Sequence, residues 1–156
     1  MLTESGDNLV EVVSEILGEM LNYDLSGFVD KKKEDFRIKL DSVTFIGEIK
    51  GINTNVKSGN ISQVENHCRN YEDELNGSKE NIKGLLVINT LRDKRLAERE
   101  EVHINSIDLA EKYGVLIITT VKLLKLYERF VVKEVSSENI IEAFKTQVGL
   151  CDIDKI

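Results

Sequence analysis

The chain has 156 residues with a formal net charge of −7, and 41% of its residues are hydrophobic. This length supports one hydrophobic core, so we expect a single domain over residues 1–156, and no apolar run reaches the roughly 18 residues that a membrane helix needs. The acidic balance argues against a strongly basic protein that coats nucleic acid, but it allows a nuclease whose catalytic carboxylates lie beside a local basic patch.

The N-terminal segment predicts one amphipathic helix. Its first residues, MLTESGD, are acidic where a secretory signal peptide would be basic and then apolar, so we expect a cytoplasmic location. Residues 8–21 follow a helical period, with Asn8 as a candidate N-cap and Glu11 on the polar face. The apolar stripe of this helix contains Leu9, Val13, Ile16, Leu17 and Met20.

The next segment predicts a β-hairpin. Residues 24–29 are irregular or strand-like, and three lysines follow at 31–33. Residues 35–40 alternate polar and apolar side chains, as a half-buried strand does, and residues 43–50 form a second strand. The Asp-Ser dipeptide at 41–42 is a plausible two-residue turn, which would make the two strands antiparallel.

The remaining elements alternate between helices and strands. Asn60 is a candidate N-cap, with Gln63 three residues later in a capping-box arrangement. The helix that follows ends near Gly77, and its buried side is expected to hold Ile61, Val64, Cys68, Tyr71 and Leu75. Residues 83–90 and 114–120 are almost wholly apolar, as in parallel strands covered on both faces. Further helices are predicted over 104–113, 121–130 and 137–148.

This order of elements defines the predicted fold class. A helix, an antiparallel hairpin, and then helices alternating with two apolar strands predict an α/β fold with a mixed central β-sheet flanked by helices. Within the single domain we expect a core over about residues 9–130, closed by a C-terminal helix at about 136–148.

The cysteines and histidines give no clear site. Cys68 and Cys151 have neither the spacing of a disulfide framework nor that of a zinc site, and we expect Cys68 to be buried in its helix. His67 and His103 could act as general acids, but neither has an obvious partner in the sequence, so we expect both in surface or structural positions.

The hairpin brings two carboxylates together. A turn at 41–42 pairs Ile38 with Phe45, and counting outward puts Asp35 opposite Glu48. Directly paired residues have Cβ atoms about 5 Å apart. Two unit charges about 4 Å apart repel by roughly 4 kcal/mol at an effective dielectric constant near 20. A bound cation, one protonated carboxyl group or a nearby base such as Arg37 or Lys50 could relieve that repulsion.

The residue types at this site favour phosphodiester chemistry. A few carboxylates, with room for water and phosphate, suit Mg²⁺ or Mn²⁺ better than zinc. Glu48 and Lys50 share a face of the strand because side chains alternate with period two. Lys50 could then stabilise the charge that grows on phosphate oxygens, whereas a role as base would need a strongly depressed pKa. An ordinary exposed pair at a strand end remains the alternative.

The stretch DFRIKLDSVTFIGEIKG resembles the core of the PD-(D/E)xK superfamily of restriction-endonuclease-like nucleases. Asp35 fits the first acidic position, Glu48 the second and Lys50 the lysine. The chain is also similar to a bacterial group of such domains in Glu11 of the first helix and in the segments KGLLVINTLRDKRLAERE and GVLIITTVKLLKL. This resemblance covers about residues 9–130. It departs from the pattern in that no proline precedes Asp35, and Asn22 stands where relatives usually have glycine.

The resemblance implies roles for individual residues. Asp35 and Glu48 would bind the metal together with the Ile49 carbonyl, and Lys50 would assist the attacking water. Glu11 would approach the site from the first helix. Gln63 matches a helix glutamine that often borders such sites, although the capping-box role is an equal alternative.

Substrate contacts are expected from the loop after the catalytic strand, because loops at an active edge can reach a ligand. The candidates in this loop are Asn53, Asn55, Lys57 and Ser58. A phosphate-contacting rim could also form, although a lysine run is more often only a solvated loop. The candidate rim residues are Lys31, Lys32, Lys33, Lys57 and Arg69.

Taken together, the sequence predicts a magnesium- or manganese-dependent nuclease, with a DNA endonuclease of restriction or repair favoured. The alternative is a catalytically inactive module of the same fold that binds nucleic acid or a partner protein. The chain could act as a homodimer or as part of a larger multidomain protein, and no membrane partner is expected.

Overall fold

The computed structural model describes residues 6–26 and 34–156. The lysine run at 31–33 and residues 27–29 of the strand-like stretch at 24–29 lie outside these residues. The elements are, in chain order, α1 (Asp7–Leu21), β1 (Phe36–Lys39), β2 (Thr44–Gly51), α2 (Ser58–Glu74), β3 (Ile82–Asn89), α3 (Ile104–Tyr113), β4 (Val115–Thr119), α4 (Thr120–Val131), α5 (Ser137–Thr146) and β5 (Gly149–Leu150). Short 3₁₀ helices span Leu96–Glu98 and Ile153–Lys155.

The strands form one mixed five-stranded sheet in the order β1-β2-β3-β4-β5. β1 is antiparallel to β2, and the other neighbouring strands are parallel. The predicted α/β fold with a mixed central sheet is therefore confirmed, as are the hairpin and the two apolar parallel strands. β5 was not predicted, because a strand of two residues leaves no periodic pattern in the sequence.

Two hydrophobic clusters cover the two faces of the sheet. On one face, the apolar stripe of α1 packs with residues of α4, α5 and the sheet, among them Phe36, Phe45 and Ile49. On the other face, Ile61 and Val64 of α2 pack with β3, β4 and α3. All five residues of the predicted α1 stripe are buried. Glu48 and Lys50 alternate with Phe45 and Ile49 along β2, so they point to the face that α2 covers.

Both predicted helix caps are wrong by a few residues. α1 begins at Asp7 with Gly6 at the N-cap, so Asn8 already has helical backbone and cannot cap it. α2 begins at Ser58, and Asn60 acts from inside the helix, where its Oδ1 accepts a hydrogen bond of 2.9 Å from the Lys57 N–H. Gln63 is therefore not the capping partner, and its side chain is available for another contact.

The cysteines differ from each other in burial. Cys151 is buried, whereas Cys68 is half-buried rather than fully buried as expected. Burial raises the pKa of each thiol to about 12, so neither is an activated nucleophile.

Within residues 6–26 and 34–156, no helix combines the length and the apolar character needed to cross a membrane.

Candidate active site

The end of the hairpin brings the carboxyl groups of Asp35 and Glu48 close enough to interact. Ile38 pairs with Phe45 and Phe36 with Gly47, and the paired register ends there. The Asp35 N–H donates over 2.9 Å to the carbonyl of Gly47, which is already the partner of Phe36. Asp35 and Phe36 therefore both lie against Gly47, and the predicted direct pairing of Asp35 with Glu48 is not formed. The predicted turn at 41–42 is confirmed, since the Leu40 N–H donates to the Val43 carbonyl over 2.9 Å.

The Asp35 side chain binds a backbone N–H of β2 that has no β1 partner. Asp35 Oδ2 accepts a hydrogen bond of 2.7 Å from the Ile49 N–H, at a position where β1 has already ended. In a strand, the N–H and C=O of one residue point to the same side. The Ile49 carbonyl is therefore directed to the side on which Asp35 lies.

Glu48 is the buried carboxylate of the pair, with 1% of its surface exposed. Lys50 Nζ lies 3.3 Å from Glu48 Oε2. Two side chains of α2 approach the other oxygen: Gln63 Nε2 donates to Glu48 Oε1 over 3.3 Å, and His67 Nε2 lies 2.5 Å from the same atom. Burial, and then the neighbouring Asp35 carboxylate, raise the pKa of Glu48 to about 8, while Lys50 acts in the opposite direction.

The donor set fits a hard divalent cation. The Asp35 and Glu48 carboxylates lie close together, and Asp35 raises the pKa of Glu48. With the Ile49 carbonyl, they provide oxygen ligands of the kind that Mg²⁺ and Mn²⁺ prefer. Within the described part of the chain, no group of three or more His, Cys, Asp or Glu side chains is arranged to hold a metal ion. Two carboxylates and one carbonyl supply fewer ligands than Mg²⁺ takes, and Mg²⁺ usually keeps water and phosphate oxygens in the remaining positions.

Arg37 does not neutralise this pair, although the sequence made it a candidate. Its guanidinium lies over the Tyr71 ring, 4.5 Å from the ring centroid, and contacts Glu34 at 2.5 Å and Glu74 at 3.5 Å. Of the two basic side chains, Lys50 is therefore the one that faces Glu48.

The loop after β2 has a framework of its own. The Asn55 side chain donates to the Glu101 carbonyl over 2.8 Å and accepts from the Val56 N–H over 2.8 Å, which ties the loop to the segment before α3. Asn53, Lys57 and Ser58 are exposed. Substrate contact by these residues stays a prediction, and Asn55 additionally shapes the loop that presents them.

The structure does not bring Glu11 to the site. Glu11 is exposed on α1, which packs against the opposite face of the sheet from Glu48. No hydrogen bond or ion pair joins Glu11 to Asp35, Glu48 or Lys50 within the described residues. The reason is that the apolar stripe of α1 faces the sheet, which turns its glutamates toward solvent.

His67 is the site residue that the sequence reasoning missed. It was expected in a surface or structural position, but it is buried, with 6% of its surface exposed, and it contacts Glu48. The available signal was its spacing: Gln63 and His67 are four residues apart, so they lie on one face of α2.

The other candidates lie away from the carboxylates. His103 is exposed, and its ring contacts Glu100 at 3.3 Å. Of the proposed phosphate rim, Arg69 pairs with Glu65 of its own helix at 2.6 Å.

No protein-family model and no curated protein matches the chain. Among solved structures, the chain is similar to the restriction endonuclease FokI bound to DNA, with a TM-score of 0.60 and 16% sequence identity. The similarity covers 88% of this chain and 27% of that one, so this chain spans about a quarter of that nuclease. The likeness shows the fold, which is an α/β fold of the restriction-endonuclease kind.

Proposed function

We propose that this protein is a metal-dependent nuclease that hydrolyses phosphodiester bonds, with DNA as the favoured substrate. The observation that carries the proposal is the Asp35–Glu48 pair, in which a half-buried and a buried carboxylate face each other beside Lys50. The structural neighbour, a restriction endonuclease bound to DNA, supports the same class of activity.

Each group at the site has a role in this proposal. Asp35, Glu48 and the Ile49 carbonyl would hold Mg²⁺ or Mn²⁺, which when bound lowers the pKa of an attacking water and neutralises phosphate charge. Lys50, whose side chain is 33% exposed, would stabilise the negative charge that grows on the phosphate oxygens. Gln63 would keep Glu48 in place from α2.

The exposed residues of the loop after β2 would contact the sugar-phosphate backbone. Asn53, Lys57 and Ser58 carry polar groups of the kinds that bind phosphate oxygens without reading bases. Two sites, in a homodimer or in a larger multidomain protein, would allow both strands of a duplex to be cut in one binding event. Restriction and repair are both suitable settings, and the cytoplasmic location stays a prediction.

Cleavage of supercoiled plasmid and of a labelled single strand tests the proposal. The unmodified protein should cut with Mg²⁺ or Mn²⁺ and not with EDTA. Lys50→Ala should lower the rate by about 10²- to 10³-fold, the usual cost of removing a group that stabilises transition-state charge. Lys112→Ala is the matched control, because this exposed lysine of α3 lies outside the site, and it should cut normally.

Two outcomes would count against the proposal. If the folded protein cuts neither substrate with either metal but binds DNA with a strong salt dependence, the inactive nucleic-acid-binding module is favoured. If Lys50→Ala cuts as fast as Lys112→Ala, the site must lie elsewhere.

A further inference from the structure

His67 reaches the candidate active site from the middle of α2. The Gln63 and His67 side chains lie one turn apart on the face of α2 that covers Glu48. His67 is buried, so the orientation of its ring is set by packing and not by solvent. Glu48 Oε1 lies within contact distance of its Nε2 atom, so the two groups can act on each other as an ion pair.

The two oxygens of Glu48 have different neighbours. Oε1 faces α2, with His67 Nε2 at 2.5 Å and Gln63 Nε2 at 3.3 Å. Oε2 faces Lys50 Nζ at 3.3 Å. The contacts of α2 thus occupy one oxygen and leave the other on the side of Lys50.

We propose that His67 is a positioning residue, which holds Glu48 Oε1 so that Oε2 is presented to the metal and to the substrate phosphate. This inference rests on the proposed nuclease function and adds a further residue to its site. Gln63 donates to Oε1 over 3.3 Å, which is long for a hydrogen bond, and His67 Nε2 lies closer to the same oxygen.

A positioning role has a measurable consequence for metal affinity. Groups that orient a ligating side chain typically affect metal affinity or activity by about 10- to 100-fold. A histidine that only fills space would not, since an apolar side chain of similar size could replace it.

The experiment compares two substitutions with a matched control in the full chain. His67→Leu fills the space without an N–H group, and His67→Gln restores a polar hydrogen near the same position. His103→Leu is the control, because His103 is exposed and contacts Glu100 instead of Glu48. For each protein, Mn²⁺ binding is measured by calorimetry without substrate, plasmid cleavage is measured over a range of Mn²⁺ concentrations, and thermal unfolding reports the fold.

We expect His67→Leu to weaken Mn²⁺ binding by about 10- to 100-fold and to raise by a similar factor the Mn²⁺ concentration for half-maximal cleavage. His67→Gln should recover most of both losses, and His103→Leu should match the unmodified protein. Unchanged Mn²⁺ binding by a folded His67→Leu protein would overturn the inference, as would a folded His67→Gln protein that binds as weakly as His67→Leu.

A measurement on the unmodified protein covers the case in which His67→Leu does not fold. The ¹⁵N resonance of His67 Nε2 should shift when Mg²⁺ is added, while that of His103 should not, and a His67 resonance that does not move would overturn the inference.

The two proposals also fail differently. If the unmodified protein neither binds Mn²⁺ nor cuts DNA, the nuclease proposal fails and this inference with it, whereas normal binding and cutting by His67→Leu removes this inference alone.

Discussion

The Phe36 ring occupies the space where any side chain at residue 47 would lie. A Cβ atom built on Gly47 would come within 1.9 Å of the ring, so glycine is required there by close approach. Phe36 directly follows Asp35 in the chain, and Gly47 directly precedes Glu48. Phe36 and Gly47 are cross-strand partners. This contact therefore helps to set the distance between the two strands that carry the carboxylates.

Gly47→Ala should destabilise the protein, because the Phe36 ring is fully buried and has no free space to enter. We expect a loss of about 2 kcal/mol or more in the free energy of unfolding, measured with urea. A smaller side chain at position 36 should restore part of the lost free energy of unfolding. The double variant Phe36→Leu/Gly47→Ala should therefore lose less stability than the sum of the losses of the two single variants.

Gly59→Ala is the control for this substitution. A Cβ at Gly59 would meet nothing within 4 Å, and the residue is exposed in the first turn of α2. Alanine in a helix is favoured over glycine by up to about 1 kcal/mol, so this variant should lose no stability. If Gly47→Ala unfolds at the same urea concentration as Gly59→Ala, the close contact with Phe36 does not constrain the hairpin.

At the scale of elements, Glu80 joins the hairpin to α2. Its carboxylate contacts Lys39 of β1 at 2.9 Å and accepts hydrogen bonds from Thr44 of β2 at 2.8 Å and from Tyr71 of α2 at 2.7 Å. These contacts, with Lys39 the largest, lower the pKa of Glu80 to about 2. Glu80 thus helps to hold α2, and with it Gln63 and His67, against the hairpin.

The lowered pKa of Glu80 gives stability that depends on pH. Since the unfolded value is near 4.5, the unfolded chain binds more protons than the folded chain between about pH 2 and 4.5. The contribution of Glu80 is therefore present above about pH 4.5 and is lost as the pH falls towards 2. Glu80→Gln should lower the melting temperature at pH 7, and its difference from the unmodified protein should shrink as the pH falls towards 3.

Lys39→Met supplies the comparison for this prediction. Without the lysine, the Glu80→Gln substitution should change the melting temperature less, and with a weaker dependence on pH, because the largest cause of the shift is gone. A difference in melting temperature between the unmodified protein and Glu80→Gln that stays constant from pH 7 to 3 would mean that the contacts of Glu80 are not coupled to its ionisation.

At the scale of the whole molecule, the C-terminal residues complete the sheet. β5 pairs with β4, and the Cys151 N–H donates to the Ile117 carbonyl over 2.8 Å. Arg129 of α4 donates to the carbonyls of Ile153 at 2.6 Å and Ile156 at 2.9 Å. The structure adds, to the predicted core over 9–130 and its closing helix, a segment that covers the edge of β4.

Removing residues 149–156 should destabilise the protein and promote aggregation. The truncation would expose the backbone edge of β4, whose side chains are largely buried, and open strand edges pair with other chains. We expect a loss of about 3 kcal/mol or more, measured by urea unfolding, with light scattering to detect aggregates. Arg129→Met, which removes these two hydrogen bonds and the 3.4 Å ion pair with the exposed Glu134, should cost about 1–3 kcal/mol.

Lys155→Ala is the control for the C-terminal segment, since 77% of its side chain is exposed, and it should change stability little. A truncated chain that unfolds like the unmodified protein would show that β4 tolerates an open edge and that the core ends at α5.

The main features of the fold were predictable because they depend on local patterns. The helical period of α1, the alternation along β1 and the apolar runs of β3 and β4 each follow from residues close in sequence. The exact helix starts were not predictable, since Gly6 and Lys57 occupy the N-cap positions of α1 and α2 without a preferred capping side chain.

By itself, the sequence determined the hairpin register as far as Phe36 and Gly47, because a two-residue turn and a period of two leave one arrangement. This register puts the Asp35 and Glu48 carboxylates, one residue further on, at the same end of the hairpin. The tertiary structure decided which distant groups surround that pair. α2 brings His67 and Gln63 to one oxygen of Glu48, and α1 turns Glu11 away. Such contacts depend on how helices pack across the two faces of the sheet, and no local spacing in the chain specifies that packing.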